Sequence, residues 1–253
     1  MKSFEFSFYN FNIKMKKITS CIILLSLCFG SYGQKFEVPD SILNDLESKQ
    51  FEYTYTAEFN YKIVYPKNYN DSTRYKVFLG LSGGNATEKI VNYCYYTLFD
   101  SKYLDNYITV LPLGPLGKNL SELNSSEINH LITDLRKNLK VTNQNWIVAG
   151  TSMGGLAAYN FASARPELFE GIITFPGGLG TNEVSEQWKN YKILLAGGEL
   201  DEADWVKLNN STMTKLKGNV KDVEVFIIEG QGHIISPEYN IDKVYSKYFT
   251  PNE

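Results

Sequence analysis

The sequence predicts an α/β fold with a mainly parallel sheet whose strands are covered on both faces. Two observations lead there. Short runs rich in β-branched and aromatic residues alternate along the chain with longer stretches of helical spacing, a pattern that threads parallel strands through crossover helices. Most of the runs are also nearly continuously apolar, whereas strands with one wet face alternate apolar and polar residues.

The runs are residues 61–65, 76–81, 107–111, 146–149, 171–175, 192–196 and 223–228. Between the third and fourth lies 125–139, where Ile128, Leu131, Ile132 and Leu135 recur at helical spacing. A second helix is expected over 154–164, directly after the fourth run. No internal repeat, low-complexity tract or Pro/Gly-rich linker divides the chain after residue 33, so 34–253 reads as one domain. In a parallel sheet of this kind the chemistry sits in loops at the carboxyl ends of the strands.

Composition narrows the possibilities. The 253 residues are 43% hydrophobic and 21% charged, values that argue against wholesale disorder, collagen-like repeats and a multi-span membrane protein. A net charge of −3 lacks the basic footprint of a nucleic-acid binder. At the N-terminus, Met15-Lys16-Lys17 precedes an apolar run over 18–29 and the small residues of Gly30-Ser31-Tyr32-Gly33. This reads as an export leader cut before Gln34. The run is shorter than the roughly 20 residues of a membrane span, so no stable membrane anchor is expected. Cleavage before Cys28 would put bulky Leu27 where a small residue is wanted, which argues against a lipoprotein. Residues 1–14 fit no targeting pattern, and Met15 is the expected start.

The expected mature protein is periplasmic or extracellular. Removing residues 1–33, which hold four lysines and one glutamate, leaves 220 residues and takes the net charge from −3 to −6. It also removes Cys21 and Cys28 and leaves Cys94 alone, so no intramolecular disulfide can form and the core must carry the stability.

The run ending at Ala149 leads into Gly150-Thr151-Ser152-Met153-Gly154-Gly155 and then a small-residue helix. G-x-S-x-G is too short to mean much alone, but between a strand and a helix it has a physical logic. Glycines let a sharp turn bring backbone and helix together, and the serine hydroxyl stands clear of the sheet. The next N–H, that of Met153, lies at a helix N-terminus where it can stabilise an oxyanion. Ser152 is the candidate nucleophile.

Two histidines are available as a base. His130 falls inside the 125–139 helix and reads as a surface or core residue. His233 follows the last run in Gly230-Gln231-Gly232-His233, where glycines let a loop swing an imidazole over a neighbouring strand end. An orienting carboxylate belongs at the end of the preceding strand, where Glu199, Asp201, Glu202 and Asp204 crowd one loop. Asp201 is preferred because it lies close to the strand end with a turn already made, and Asp204 is the alternative. A second oxyanion donor is expected in Ser82-Gly83-Gly84-Asn85, after the 76–81 run: the Gly84 N–H first, with Gly83 beside it. No histidine or cysteine cluster has metal-ligand spacing, so the expected chemistry needs neither metal nor cofactor.

These residues resemble the α/β-hydrolase superfamily, specifically its small secreted serine esterases of feruloyl- and acetyl-esterase type. The likeness runs from about Tyr61 through the loop of His233. It rests on Val64-Tyr65-Pro66-Lys67-Asn68-Tyr69 as the strand exit, Gly150–Gly155 as the nucleophile elbow and Arg165–Phe169 as the R-P-x-x-F helix end. Gly198–Asp201 and Gly230–His233 resemble the acid and base loops. The resemblance implies a sheet of about eight strands, helices on both sides, and the chain order Ser152, Asp201, His233. Two departures stand out. Ser82-Gly83 replaces the usual His-Gly, and Glu202-Ala203-Asp204-Trp205-Val206 lacks the usual Val-Pro after the aspartate.

The implied activity is hydrolysis of carboxylic esters through an acyl-enzyme. A peptidase or acyltransferase could use the same groups, and a non-catalytic binding protein could keep the fold. Lid insertions in the superfamily enter before the acid strand, where this chain has only residues 176–191, so no cap domain is expected and a small-molecule or polysaccharide-linked ester suits the cleft. Asn85, Pro176, Gly177 and Trp205 are the expected pocket residues. The leader reading predicts that N-terminal sequencing of the secreted protein starts at Gln34; a chain still beginning at Met1 or Met15 would refute it.

Overall fold

The computed structural model describes residues 52–55, 59–202 and 205–250. The leader expected over 15–33 and residue Asp204 lie outside them. An eight-stranded sheet runs in the order β1-β2-β4-β3-β5-β6-β7-β8. Its strands are β1 Glu52–Tyr55, β2 Asn60–Val64, β3 Lys76–Leu81, β4 Tyr107–Pro112, β5 Trp146–Gly150, β6 Phe169–Thr174, β7 Lys192–Gly198 and β8 Asp222–Ile228. β1 pairs antiparallel with β2, and β2 antiparallel with β4; every other pairing is parallel. Each of the seven runs read from the sequence is a strand, and β1 is the eighth.

Among the described residues five α-helices accompany the sheet: α1 Glu88–Cys94, α2 Ser125–Asn138, α3 Met153–Ala164, α4 Trp205–Leu216 and α5 Asp242–Phe249. Asn124 starts α2 by accepting the N–H groups of Ser126 and Glu127, while the Glu127 carboxylate accepts the Asn124 N–H. This reciprocal cap satisfies donors that a bare helix end would leave orphaned. The sequence expects α2 and α3 to within a residue at each end. It does not single out α1, α4 or α5. In α4 the buried positions include Asn209 and Thr212, which read as solvent-facing residues but bond inward. Asn209 donates its amide to the Ala196 carbonyl at 3.1 Å, and the Thr212 hydroxyl accepts the Leu179 N–H at 3.1 Å.

Crossovers between parallel strands are right-handed, so the direction of each step along the sheet fixes the face its helix covers. From β3 the chain steps one way through α1 to β4. It then steps the other way through α2 to β5, α3 to β6 and α4 to β8. α1 therefore lies on one face with α5, and α2, α3 and α4 lie on the other. Aromatic packing marks the first face. Phe78 of β3 meets Phe99 at 5.7 Å and Tyr245 of α5 at 6.0 Å, and Phe175 meets Phe99 and Tyr245 at 6.3 and 5.9 Å. β5 is buried along its whole length, as a strand covered on both sides must be.

The steps in opposite directions leave the carboxyl ends of β3 and β5 side by side, the position where open α/β sheets bind ligands. Between β6 and β7 the chain makes only a short excursion carrying one 3₁₀ turn, Glu186–Asn190, so no cap domain covers that end. Trp188 pins the excursion. It is fully buried, donates its indole N–H to the Ala162 carbonyl at 3.3 Å, and packs between Tyr159 and Tyr191 at ring distances of 6.0 and 5.9 Å. Trp188→Ala should lower the free energy of unfolding in urea by about 3–5 kcal/mol, the range for deleting a buried aromatic side chain.

Candidate active site

Ser152 sits in the turn between β5 and α3 with φ 56° and ψ −122°. Backbone of this kind costs a non-glycine residue about 1–3 kcal/mol and persists only where its surroundings over-determine it. Here they do. The Ser152 N–H donates to the Pro176 carbonyl at 2.8 Å, and the Thr151 N–H to the Leu81 carbonyl at 3.1 Å. The Thr151 hydroxyl donates to the Phe175 carbonyl. The turn is thus tied to the ends of both flanking strands. Contact on that scale leaves no room for side chains: a Cβ on Gly154 would lie 2.0 Å from the Leu81 carbonyl oxygen, and one on Gly155 would lie 2.3 Å from that of Pro176.

The hydroxyl held by this turn meets the expected histidine. His233 Nε2 lies 3.1 Å from Ser152 Oγ, and His233 Nδ1 lies 2.8 Å from Asp201 Oδ2. These three side chains come from loops 81 and 32 residues apart in sequence. The Asp201 side chain is fully buried, while a third of the His233 side chain is exposed. Burial of the carboxylate strengthens its bond to the imidazole, because little water competes for it.

The acid and base loops lie against each other backbone to backbone. The Glu199 N–H donates to the Ile228 carbonyl at 3.0 Å and the Leu200 N–H to that of Gln231 at 2.8 Å, while the Asp201 N–H closes a turn within the acid loop onto the Gly198 carbonyl at 3.2 Å. A Cβ on Gly198 would lie 2.2 Å from the Gly232 carbonyl oxygen, so only glycine lets the loops approach this closely. Glu199 supplies a further tie, accepting the Gly230 N–H at 3.0 Å. Of the acids crowded in this loop, Glu199 therefore braces the turn, Asp201 faces the histidine and Glu202 is exposed. His130 lies on the exposed side of α2.

The loop after β3 lies beside Ser152. A Cβ on Gly83 would come within 3.2 Å of Ser152 Cβ and 3.8 Å of its hydroxyl oxygen. The buried sulfur of Cys94 lies beneath this loop, near Gly83. Gly84, exposed and at φ 53°, and Met153 keep N–H groups with no acceptor among the described residues. Ser82 is fully buried, and its hydroxyl faces the same Cys94 sulfur without a conventional hydrogen bond.

The expected pocket residues divide in the same way. Trp205, half-buried at the start of α4, holds its ring 5.6 Å from that of His233 at 32°, beside the reacting groups. Asn85 is exposed on the loop after β3. Pro176 and Gly177 are both buried and pack against the elbow helix: Pro176 offers its carbonyl to Ser152, and a Cβ on Gly177 would lie 2.5 Å from the Gly155 Cα. They form the seat of the elbow. Among the described residues no group of three or more histidine, cysteine, aspartate or glutamate side chains is arranged to hold a metal ion.

The model of a protein family described as "Putative esterase" matches residues 54–231. None of the curated proteins matches the chain. Among solved structures, a ferulic acid esterase from Anaeromyces mucronatus, in complex with ferulic acid, aligns with a TM-score of 0.55 at 15% identity. The alignment covers 85% of this chain and 97% of that one. The fluorophosphonate-binding serine hydrolase F of Staphylococcus aureus aligns with a TM-score of 0.58 at 13% identity, covering 79% and 96%. A thermostable esterase aligns at 0.56 and 18% identity over 73% of this chain, which spans 55% of that protein. At these identities the likeness is one of fold. The tight seat of the elbow makes its own prediction: Gly155→Ala should destabilise the protein to urea by about 3 kcal/mol, since the added carbon meets backbone that cannot rotate away.

Proposed function

This chain belongs to the esterase family and is a carboxylic ester hydrolase, and from that premise we propose that it works through an acyl-enzyme on Ser152, with His233 as base and Asp201 as the orienting acid. The continuous line from Asp201 Oδ2 to His233 Nδ1 to Ser152 Oγ, at 2.8 and 3.1 Å, is the observation that carries the reading.

In the proposed first step His233 Nε2 takes the Ser152 proton as the hydroxyl oxygen attacks the ester carbonyl carbon. Negative charge develops on the carbonyl oxygen, and the N–H groups of Met153 and Gly84 receive it. Losing one such donor costs about 3 kcal/mol of barrier. The protonated His233 then gives its proton to the departing alcohol. Water enters, His233 removes its proton, and attack on the acyl group returns free acid and Ser152. Asp201 accepts the Nδ1–H throughout, holding the tautomer in which Nε2 can act as base and stabilising the imidazolium when it forms.

Substrate enters from the uncovered end of the sheet. Trp205 forms one wall beside His233, and Asn85 lies at the rim across the mouth. The uncovered mouth suits an ester that is small or attached to a polymer such as a polysaccharide, and the Anaeromyces neighbour, which holds ferulic acid, makes feruloyl one acyl group to try. We place the working protein outside the cytoplasm, on the strength of the leader.

Ser152→Ala should lower turnover of p-nitrophenyl acetate by roughly 10⁶ and abolish labelling by a fluorophosphonate. Asp201→Asn should cost roughly 10⁴ by trapping the wrong tautomer. If Ser152→Ala hydrolyses the ester at the parent rate, the reading is wrong. Assay of amides and of competing alcohol acceptors separates ester hydrolysis from peptidase and acyltransferase chemistry.

A further inference from the structure

α1 takes no direct part in the chemistry proposed above, yet its last turn touches both halves of the site. Tyr93, 7% exposed, donates its phenol O–H to the Ile235 carbonyl at 2.9 Å, across 142 residues of sequence. Ile235 is itself buried and lies two residues past His233. The next residue of α1, Cys94, sits beneath the oxyanion loop with its sulfur against Ser82 and Gly83. One turn end therefore contacts the base loop through position 93 and the oxyanion loop through position 94.

The helix that makes these contacts is itself held. Lys62 of β2, 1% exposed, reaches across to the Asn92 side chain and to the Glu88 carboxylate at 3.3 Å, one turn apart on α1. On the far side the base loop has its own closure: the Ser236 N–H donates to the Gln231 side-chain oxygen at 2.7 Å, bridging the segment that carries His233. Burial pushes the Tyr93 phenol up to about 12, with Cys94 adding to the effect, so it remains a proton donor at any ordinary pH.

We propose that Tyr93 is a positioning residue, whose hydrogen bond to the Ile235 carbonyl fixes the base loop so that His233 Nε2 stays in line with Ser152. It touches neither substrate nor the reacting atoms and acts only through His233. The inference rests on the assignment of Ser152 and His233 as nucleophile and base. Geometry of this kind matters because displacing a reacting group by about 1 Å, even from a distance, can cost on the order of 10²-fold in rate.

The test is made on the full chain with p-nitrophenyl acetate and a fluorophosphonate probe. Tyr93→Phe keeps the ring and deletes only the donor. It should lower kcat at least about tenfold, and slow Ser152 labelling by a similar factor, with KM within about twofold of the parent. Tyr245→Phe is the matched control. It deletes an equally buried phenol O–H, which donates to the Leu98 carbonyl at 2.7 Å on the same face of the sheet. It should reduce Tm by a comparable amount and leave kcat unchanged. Parent-like kcat and labelling in Tyr93→Phe would overturn the proposal, as would an equal loss of kcat in Tyr245→Phe, which would trace the effect to general softening. Should Tyr93→Phe fail to fold, Gln231→Met decides: lowered kcat with retained KM supports the brace, and unchanged kcat overturns it. Ser152→Ala is run alongside. If it is inactive while Tyr93→Phe is unaffected, only the brace has failed; if it keeps the parent rate, the catalytic assignment itself has failed.

Discussion

The interlock of backbone at the end of β5 is the constraint on which the rest of the site depends. Ser152 occupies a conformation that its own side chain disfavours, and no single bond could hold it there. The ends of β3 and β6 do so together, by accepting the Thr151 and Ser152 N–H groups while α3 presses against both through glycines. The cost of the turn is spread over the stability of three central strands. A hydroxyl supported in this way cannot drift without disturbing the sheet, so the accuracy of the site is inherited from its most buried part.

Burial falls in sequence along the line of polar side chains. Asp201 is wholly enclosed and His233 partly open. A carboxylate shut away from water keeps its full effect on the imidazole beside it, and the imidazole can still reach solvent. An enclosed charge without a partner would be strongly destabilising, so the same arrangement makes the placement of His233 matter to stability as well as to rate. The loops that carry the two groups are joined by several backbone hydrogen bonds and the Glu199 side chain, which couples their positions.

Much of this was legible in the sequence because the informative features are local. Continuous apolar runs disclosed the strands, and the residues around Ser152 disclosed the turn, since a strand-to-helix corner of this sharpness needs particular residues at particular spacings. Asp201 could be preferred only by its distance from a strand end, because spacing says nothing about which way a side chain points. The closeness of Cys94 to Gly83 is hidden for the same reason, since no local pattern connects the two. The packing of Pro176 and Gly177 against the elbow is likewise invisible in the sequence, because it is made by backbone from a neighbouring strand end. α4 escaped notice because Asn209 and Thr212 are buried polar residues satisfied by the backbone of distant segments. The Tyr93 contact spans 142 positions and has no sequence signature at all.

Cys94 is the sole cysteine after residue 33. It lies in the core under the oxyanion loop, where burial pushes its thiol up to about 11 against the opposing pull of Ser82 and Gly83. Oxidants and disulfides react with the ionised, accessible form of a thiol, and this one is neither ionised nor accessible. Within the described fold this sulfur is therefore indifferent to the redox state of its surroundings and offers no handle for cross-linking one molecule to another. Its vulnerability belongs to the unfolded chain, so what keeps it reduced is the same packing that holds the loop after β3 in place.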